Sequence, residues 1–263
     1  MDETTPLDAA HAAMEATPGD DTARLRFFER LADAELFLLL AQEAVGDSIT
    51  PELFDLSDSR FVLVFDREER LTRFTGSAAP YAALPGRVIA AMLAGQDIGL
   101  GLNLEVAPSS FLIPAGAVDW LTQTLGQGPE EAEARPVEVL SPRGLPDVLL
   151  SALDTKLGLA AGLARKAYLA AVVYDDDSRG HLLGLTGTTP GAEAALARAV
   201  NEALVFSGIE AGALDVVFLP DSDPLTAKLA RVGLRFDLPQ PARPAAVTPA
   251  APGSDPARPP ILR

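Results

Sequence analysis

Five apolar residues in a row, Phe61-Val62-Leu63-Val64-Phe65, stand directly before the charged tetrad Asp66-Arg67-Glu68-Glu69. Phe61, Leu63 and Phe65 alternate with Val62 and Val64, the pattern of a strand. The tetrad is expected to turn the chain, and Leu71 to Phe74 to return as the partner strand. Downstream, Leu84-Pro85-Gly86 opens a predicted helix with Val88, Ile89, Met92 and Leu93 on its inner face, ended by Gly95. Residues 99–106 and Phe111 to Ile113 follow as strands, and Pro114 opens a helix through Val118, Leu121 and Leu125 to Gly126. Residues 61–125 therefore fix a mixed α/β architecture for the N-terminal half.

Upstream, Thr5-Pro6 and Asp20-Asp21-Thr22 each cap a predicted helix. The first places Leu7, His11 and Met14 on one face. The second turns Leu25, Phe28 and Leu31 inward and leaves Arg24, Arg26, Glu29 and Arg30 to face water. Leu36 to Ala41 reads as a buried central strand.

A chain of 263 residues that is 48% hydrophobic holds enough apolar material for two ordinary domains. Residues 126–144 are rich in Pro, Gly and Glu and read as a linker. Beyond it, apolar residues at 145, 149, 153 and 157 predict a long amphipathic helix, and Ala167 to Tyr174 with His181 to Thr186 predict a hairpin. A helix through Leu196, Val200 and Leu204, a strand at Leu214 to Leu219, a short helix from Asp223-Pro224 to Arg231 and a strand at Gly233 to Phe236 complete the second domain. Residues 239–263 hold 8 Pro in 25 positions and read as a disordered tail. The expected organisation is an α/β (mixed α+β) protein. Its two small domains, 1–125 and 145–237, each consist of a mixed sheet with a hairpin packed by helices. A linker at 126–144 joins them and a Pro/Ala-rich tail at 238–263 follows.

Charge narrows the partners. Residues 1–140 carry 9 Arg against 24 Asp and Glu, a net −15, whereas 141–263 carry 12 basic against 13 acidic residues. An acidic half repels phosphate backbones and anionic lipid, so neither nucleic acid nor membrane is an expected partner; the acidity either keeps the protein soluble or meets a basic partner protein. The acidic N-terminus has no apolar leader, and no apolar run approaches the ~20 residues of a membrane span. A cytoplasmic protein is expected.

The inventory for chemistry is thin. With no cysteine, thiolate catalysis, disulfides, Cys-based zinc sites and Cys-ligated clusters are excluded. His11 and His181 lack a metal-ligand spacing, and no cofactor or metal is expected. Gly99-Leu100-Gly101-Leu102-Asn103-Leu104 begins like a dinucleotide fingerprint but lacks its third glycine. There is no P-loop and no GxSxG elbow. Asp97, Glu105 and Asp119 flank the 99–113 strand pair and could converge for acid–base work. The segment Asn103 to Ser110, NLEVAPSS, is a polar, Pro-broken connection of the kind that presents binding groups on a rigid scaffold. Asn103, Glu105, Ser109 and Ser110 are the candidate binding residues, with Tyr81 and Trp120 as candidate aromatic contacts.

The succession FVLVFDREERLTRF and YAALPGRVIAAMLAGQDIGLGLNLEVAPSSFLIPAGAVDWL, at 61–121, resembles the N-terminal domain of the SseB (enhanced serine sensitivity) family. Residues 145–237 look similar to that family's C-terminal domain. The resemblance implies a bacterial cytosolic protein linked to serine tolerance, without catalytic residues to carry over. The leading expectation is a non-enzymatic binding or regulatory protein with a protein partner. The alternative is a carboxylate-dependent enzyme, or a sensor in amino-acid metabolism with a small amino-acid-like ligand.

Overall fold

The computed structural model describes residues 4–46, 48–56, 58–127, 136–208 and 214–240. Two mixed sheets organise it. The N-terminal part runs α1 (Pro6–Ala16), α2 (Asp21–Asp33), β1 (Glu35–Leu39), β2 (Leu53–Leu56), β3 (Ser59–Phe65), α3 (Glu68–Thr75), β4 (Tyr81–Pro85), α4 (Gly86–Leu93), β5 (Ile98–Leu102), β6 (Phe111–Ile113) and α5 (Ala115–Gly126). The strand order is β4-β1-β3-β5-β6, with β3 and β5 parallel, and β2 also paired to β3. Both β1 and β2 pair antiparallel with β3 on the edge opposite β5, so they lie end to end.

The density of the 61–65 run has a packing cause. Val62 and Val64 face the core formed with α1, α2, α4 and α5, whereas Leu63 and Phe65 face a smaller core under α3 with Leu71 and Phe74. A strand covered on both faces carries apolar residues at every position. The helices are placed by close contacts. A Cβ at Gly86 would lie 1.9 Å from the Leu31 carbonyl oxygen, so only glycine lets α4 begin this close to α2.

The sequence expectation for 66–74 is overturned. The charged tetrad opens helix α3 and no return strand forms. Leu71 and Phe74 sit three apart on one face, Glu68 and Glu69 occupy the first turn, and Gly76 closes the helix at φ 70. The hairpin partner of β3 is β2, which precedes it. The strand expected over 99–106 ends at Leu102, because Asn103 and Glu105 take φ of 47 and 60. Val88, expected inward, is exposed, and Glu29, expected in water, is wholly buried.

The C-terminal part comprises β7 (Pro136–Leu140), α6 (Asp147–Leu159), β8 (Lys166–Tyr174), β9 (Arg179–Thr186), α7 (Glu193–Phe206), β10 (Leu214–Leu219), α8 (Pro224–Val232) and β11 (Leu234–Asp237). The order is β10-β9-β8-β11, with β7 also on β8. Helices α6 and α7 cover one face, and α8 covers the other. Within the stretch read as linker, residues 136–140 form β7, while 128–135 lie outside the described residues, as does the tail from residue 241.

The two parts share a packed seam. Phe206 of α7 is fully buried in the N-terminal core, and its ring lies 6.4 Å from that of Trp120, which also packs on Phe28 at 5.3 Å. Burying a side chain of this size contributes roughly 1.5–3 kcal/mol. No described helix is long and apolar enough to cross a membrane.

Candidate functional site: a polar turn and the cleft at the domain seam

The turn that follows β5 carries all four polar candidate binding residues, and the structure divides them. Asn103 is wholly buried, and its N–H and side chain make three hydrogen bonds. Its N–H donates to the Val64 carbonyl at 2.9 Å, its Oδ1 accepts from the Asp66 N–H at 3.1 Å, and its Nδ2 donates to Ser109 Oγ at 2.8 Å. Asparagine tolerates the left-handed backbone that this corner requires. Ser109, also buried, donates to Asp8 Oδ1 at 2.5 Å. Glu105 and Ser110 are exposed, joined by the Glu105 N–H donating to Ser110 Oγ at 3.2 Å. Tyr81 stands apart at the outer edge of the sheet on β4, its ring 5.3 Å from that of Phe37. The structure thus brings Asn103 and Ser109 into one internal network, leaves Glu105 and Ser110 on the surface above it, and does not bring Tyr81 to them.

That network centres on Arg70. Its guanidinium donates to Asp8 at 3.0 and 2.6 Å and to Asp66 at 2.8 Å, with all three side chains at least 95% buried. Thr5 Oγ1 donates to Asp66 Oδ2 at 2.6 Å, and Thr5 and Asp8 cap α1 reciprocally. Burial alone would raise the pKa of Asp8. Hydrogen bonds from Arg70, Ser109 and Thr5 outweigh it and hold the carboxyl well below its usual range. The cluster ties α1, the start of α3 and the 103–110 turn together.

A second cluster crosses the seam. Lys156 Nζ on α6 donates to Asp33 at 2.7 Å and to Glu202 on α7 at 2.8 Å. Arg87 on α4 grips Glu202 at 2.9 and 3.1 Å and also bonds Asp33. Burial of Glu202 is outweighed by its bonds to Arg87 and Lys156, so its pKa falls. For Glu29 burial prevails and the pKa rises. A cleft of about 400 Å³ opens between the two clusters, walled by Thr5 and Asp66 from the first and Asp33 from the second. Arg30, Arg67 and Glu35 add charge to it, and Leu7, Phe37 and Leu159 supply apolar surface. Such a wall can hold a small molecule bearing both an anionic and a cationic group.

The other sequence candidates separate. Asp97 and Glu105 lie beyond opposite ends of β5, a five-residue strand rising ~3.3 Å per residue, so they do not converge. Asp119 accepts the Gly95 N–H at 2.8 Å and so fixes the end of α4 against α5. Trp120 belongs to the seam. His11 is buried between Phe27 and Phe111, at 5.6 and 5.3 Å, and His181 Nε2 lies 3.2 Å from the Arg143 carbonyl. Among the described residues no group of three His, Cys, Asp or Glu is arranged to hold a metal ion.

Sequence reading missed Asp8, Asp66 and Arg70 as partners, and Asp33, Arg87, Lys156 and Glu202 as a seam. For the seam a signal existed. Lys156 and Glu202 each interrupt an apolar helix stripe, where an unpartnered charge is costly.

Residues 7–120 match the family model described as the SseB protein N-terminal domain, and this part of the chain is such a domain. No curated protein and no solved structure matches the chain.

Proposed function

We propose that this protein, with its SseB N-terminal domain, is a non-enzymatic binding protein that engages a basic protein partner through edge strand β2. The observation that carries this reading is the surface of that strand. Strand β2 pairs with β3, and no other strand pairs with it among the described residues. It exposes Leu53 and Leu56, at 49% and 42%, beside exposed Asp55 and Asp58. An open edge offers backbone hydrogen bonds, the leucines offer apolar contact, and the carboxylates within a net −15 half select a cationic partner. On this reading the polar groups of Asn103 and Ser109 serve the scaffold and not a ligand. A role in serine tolerance in a bacterial cytoplasm, which the family resemblance implies, belongs to the same proposal. The test is capture of partners by the tagged protein at low and moderate salt. Partners with basic surfaces should be retained at low salt and lost as salt screens the contact, whereas no capture above background would overturn the reading.

The seam cleft favours a second reading, a sensor for a small amino-acid-like molecule. Arg30 and Glu35 on its wall match a carboxylate and an ammonium group. A ligand at a hundredfold excess over its Kd stabilises by ~2.7 kcal/mol. Thermal-shift curves across amino acids, the matching amines and the matching keto acids would reveal it, and flat curves would remove it.

A further inference from the structure

Among the described residues, Glu29 is the one carboxylate of the seam that no donor satisfies. Its side chain is fully buried on α2, and neither oxygen has a hydrogen-bond partner. The cations nearest to it stop short. Lys156 Nζ lies 3.8 Å from Oε1 and Arg26 Nη1 lies 3.9 Å from Oε2. Arg30, one residue on, donates instead to Thr155 on α6 at 3.1 Å. Arg26 Nη1 is likewise buried without a hydrogen bond, so the two face each other unbonded, and the cations that do bond carboxylates here are already engaged elsewhere. Asp33 and Glu202 are the two bonded carboxylates, and Arg87 and Lys156 are the two cations that bond them. An ionised Glu29 would be a third buried carboxylate beside Asp33, without hydrogen bonds, between α2 and α6.

A buried charge without hydrogen bonds is costly, and the least costly remedy is to neutralise it. We propose that Glu29 is a proton-linked latch on the domain seam. The two domains dock with its carboxyl protonated, and its ionisation loosens α2 and α4 from α6 and α7. The upward shift of this group under burial agrees with that assignment. The direction follows from linkage. The docked form binds a proton that the open form releases at lower pH. Docking is therefore complete below the ordinary carboxyl value and weakens as pH rises through the raised one. Seam opening would also widen the cleft lined by Arg30 and Asp33, which couples ligand access to pH.

The chain carries its own reporter, because its single tryptophan, Trp120, packs against Phe206 across this seam. The experiment follows Trp120 emission and acrylamide quenching from mildly acidic to mildly alkaline pH, in the wild-type chain and in Glu29→Gln. The wild type should show a reversible red shift and increased quenching as pH rises. Glu29→Gln, neutral at every pH, should keep the docked spectrum throughout. A wild-type signal that does not change, or a transition of equal midpoint in both proteins, overturns the proposal. Should Glu29→Gln fail to fold, the carbon-13 shift of the Glu29 carboxyl in the wild type decides. Titration above the ordinary 4.5, in step with Trp120, supports the latch, and titration at the ordinary value overturns it.

Discussion

Asp8 and Arg70 stand 62 residues apart in the chain and meet in a two-point ion pair of 2.6 and 3.0 Å, each side chain 2% exposed. The pair joins the first helix to α3 and, through Ser109 and Asn103, to the turn after β5. Removing one partner of a buried pair costs about 3–5 kcal/mol, because the other charge is left without compensation. Arg70→Met leaves Asp8 and Asp66 facing each other and should destabilise the protein by that amount in chemical denaturation. A loss under about 1 kcal/mol would mean the network contributes little.

The same pair sets a pH dependence. Asp8 ionises below its ordinary 3.8, so its contribution is present above that value and is lost as pH falls through the lowered one. The stability difference between wild type and Asp8→Asn should be constant near neutrality and shrink in strong acid. A difference that does not change with pH would contradict the assignment.

The 103–110 turn separates scaffold from surface. Asn103→Ala removes two side-chain hydrogen bonds from a buried site and should cost about 1–3 kcal/mol. Ser110→Ala, on the exposed side, should stay within about 0.5 kcal/mol of the wild type. Equal effects in urea titrations of the two variants would sink the distinction.

At the seam, Lys156→Met removes one of the two cations that Asp33 and Glu202 share, the other being Arg87. The two buried carboxylates, left to share Arg87 alone, should drive the two parts apart and raise acrylamide quenching of Trp120 at neutral pH. Unchanged quenching would show that apolar contact through Phe206 holds the seam without Lys156.

Much of the fold was legible in the chain. The caps at Thr5 and Asp20, the apolar run in β3, and the C-terminal succession of α6, the β8–β9 hairpin, α7 and β10 all follow from local pattern. Helix α3 was not legible as such, because eight residues with two apolar positions fit a short strand as readily as two helical turns, and a charged tetrad resembles a turn. The burial of Glu29 escaped for another reason. Helix α2 by itself presents a charged face to water, and only α6 and α7, more than 100 residues later, cover it. Asn103 and Ser109 were recognisable as polar residues at a corner. Their inward direction depends on Asp8 and Asp66, whose approach no local spacing encodes.

The most direct test of the binding account uses β2 itself. Wild-type protein and a variant carrying Leu53→Ser with Asp55→Lys would be compared in partner capture at low salt, after circular dichroism has shown both folded. The wild type should retain a basic partner that the variant loses. Equal capture by the two proteins, or none by either, would contradict the claim that this edge is where the protein binds.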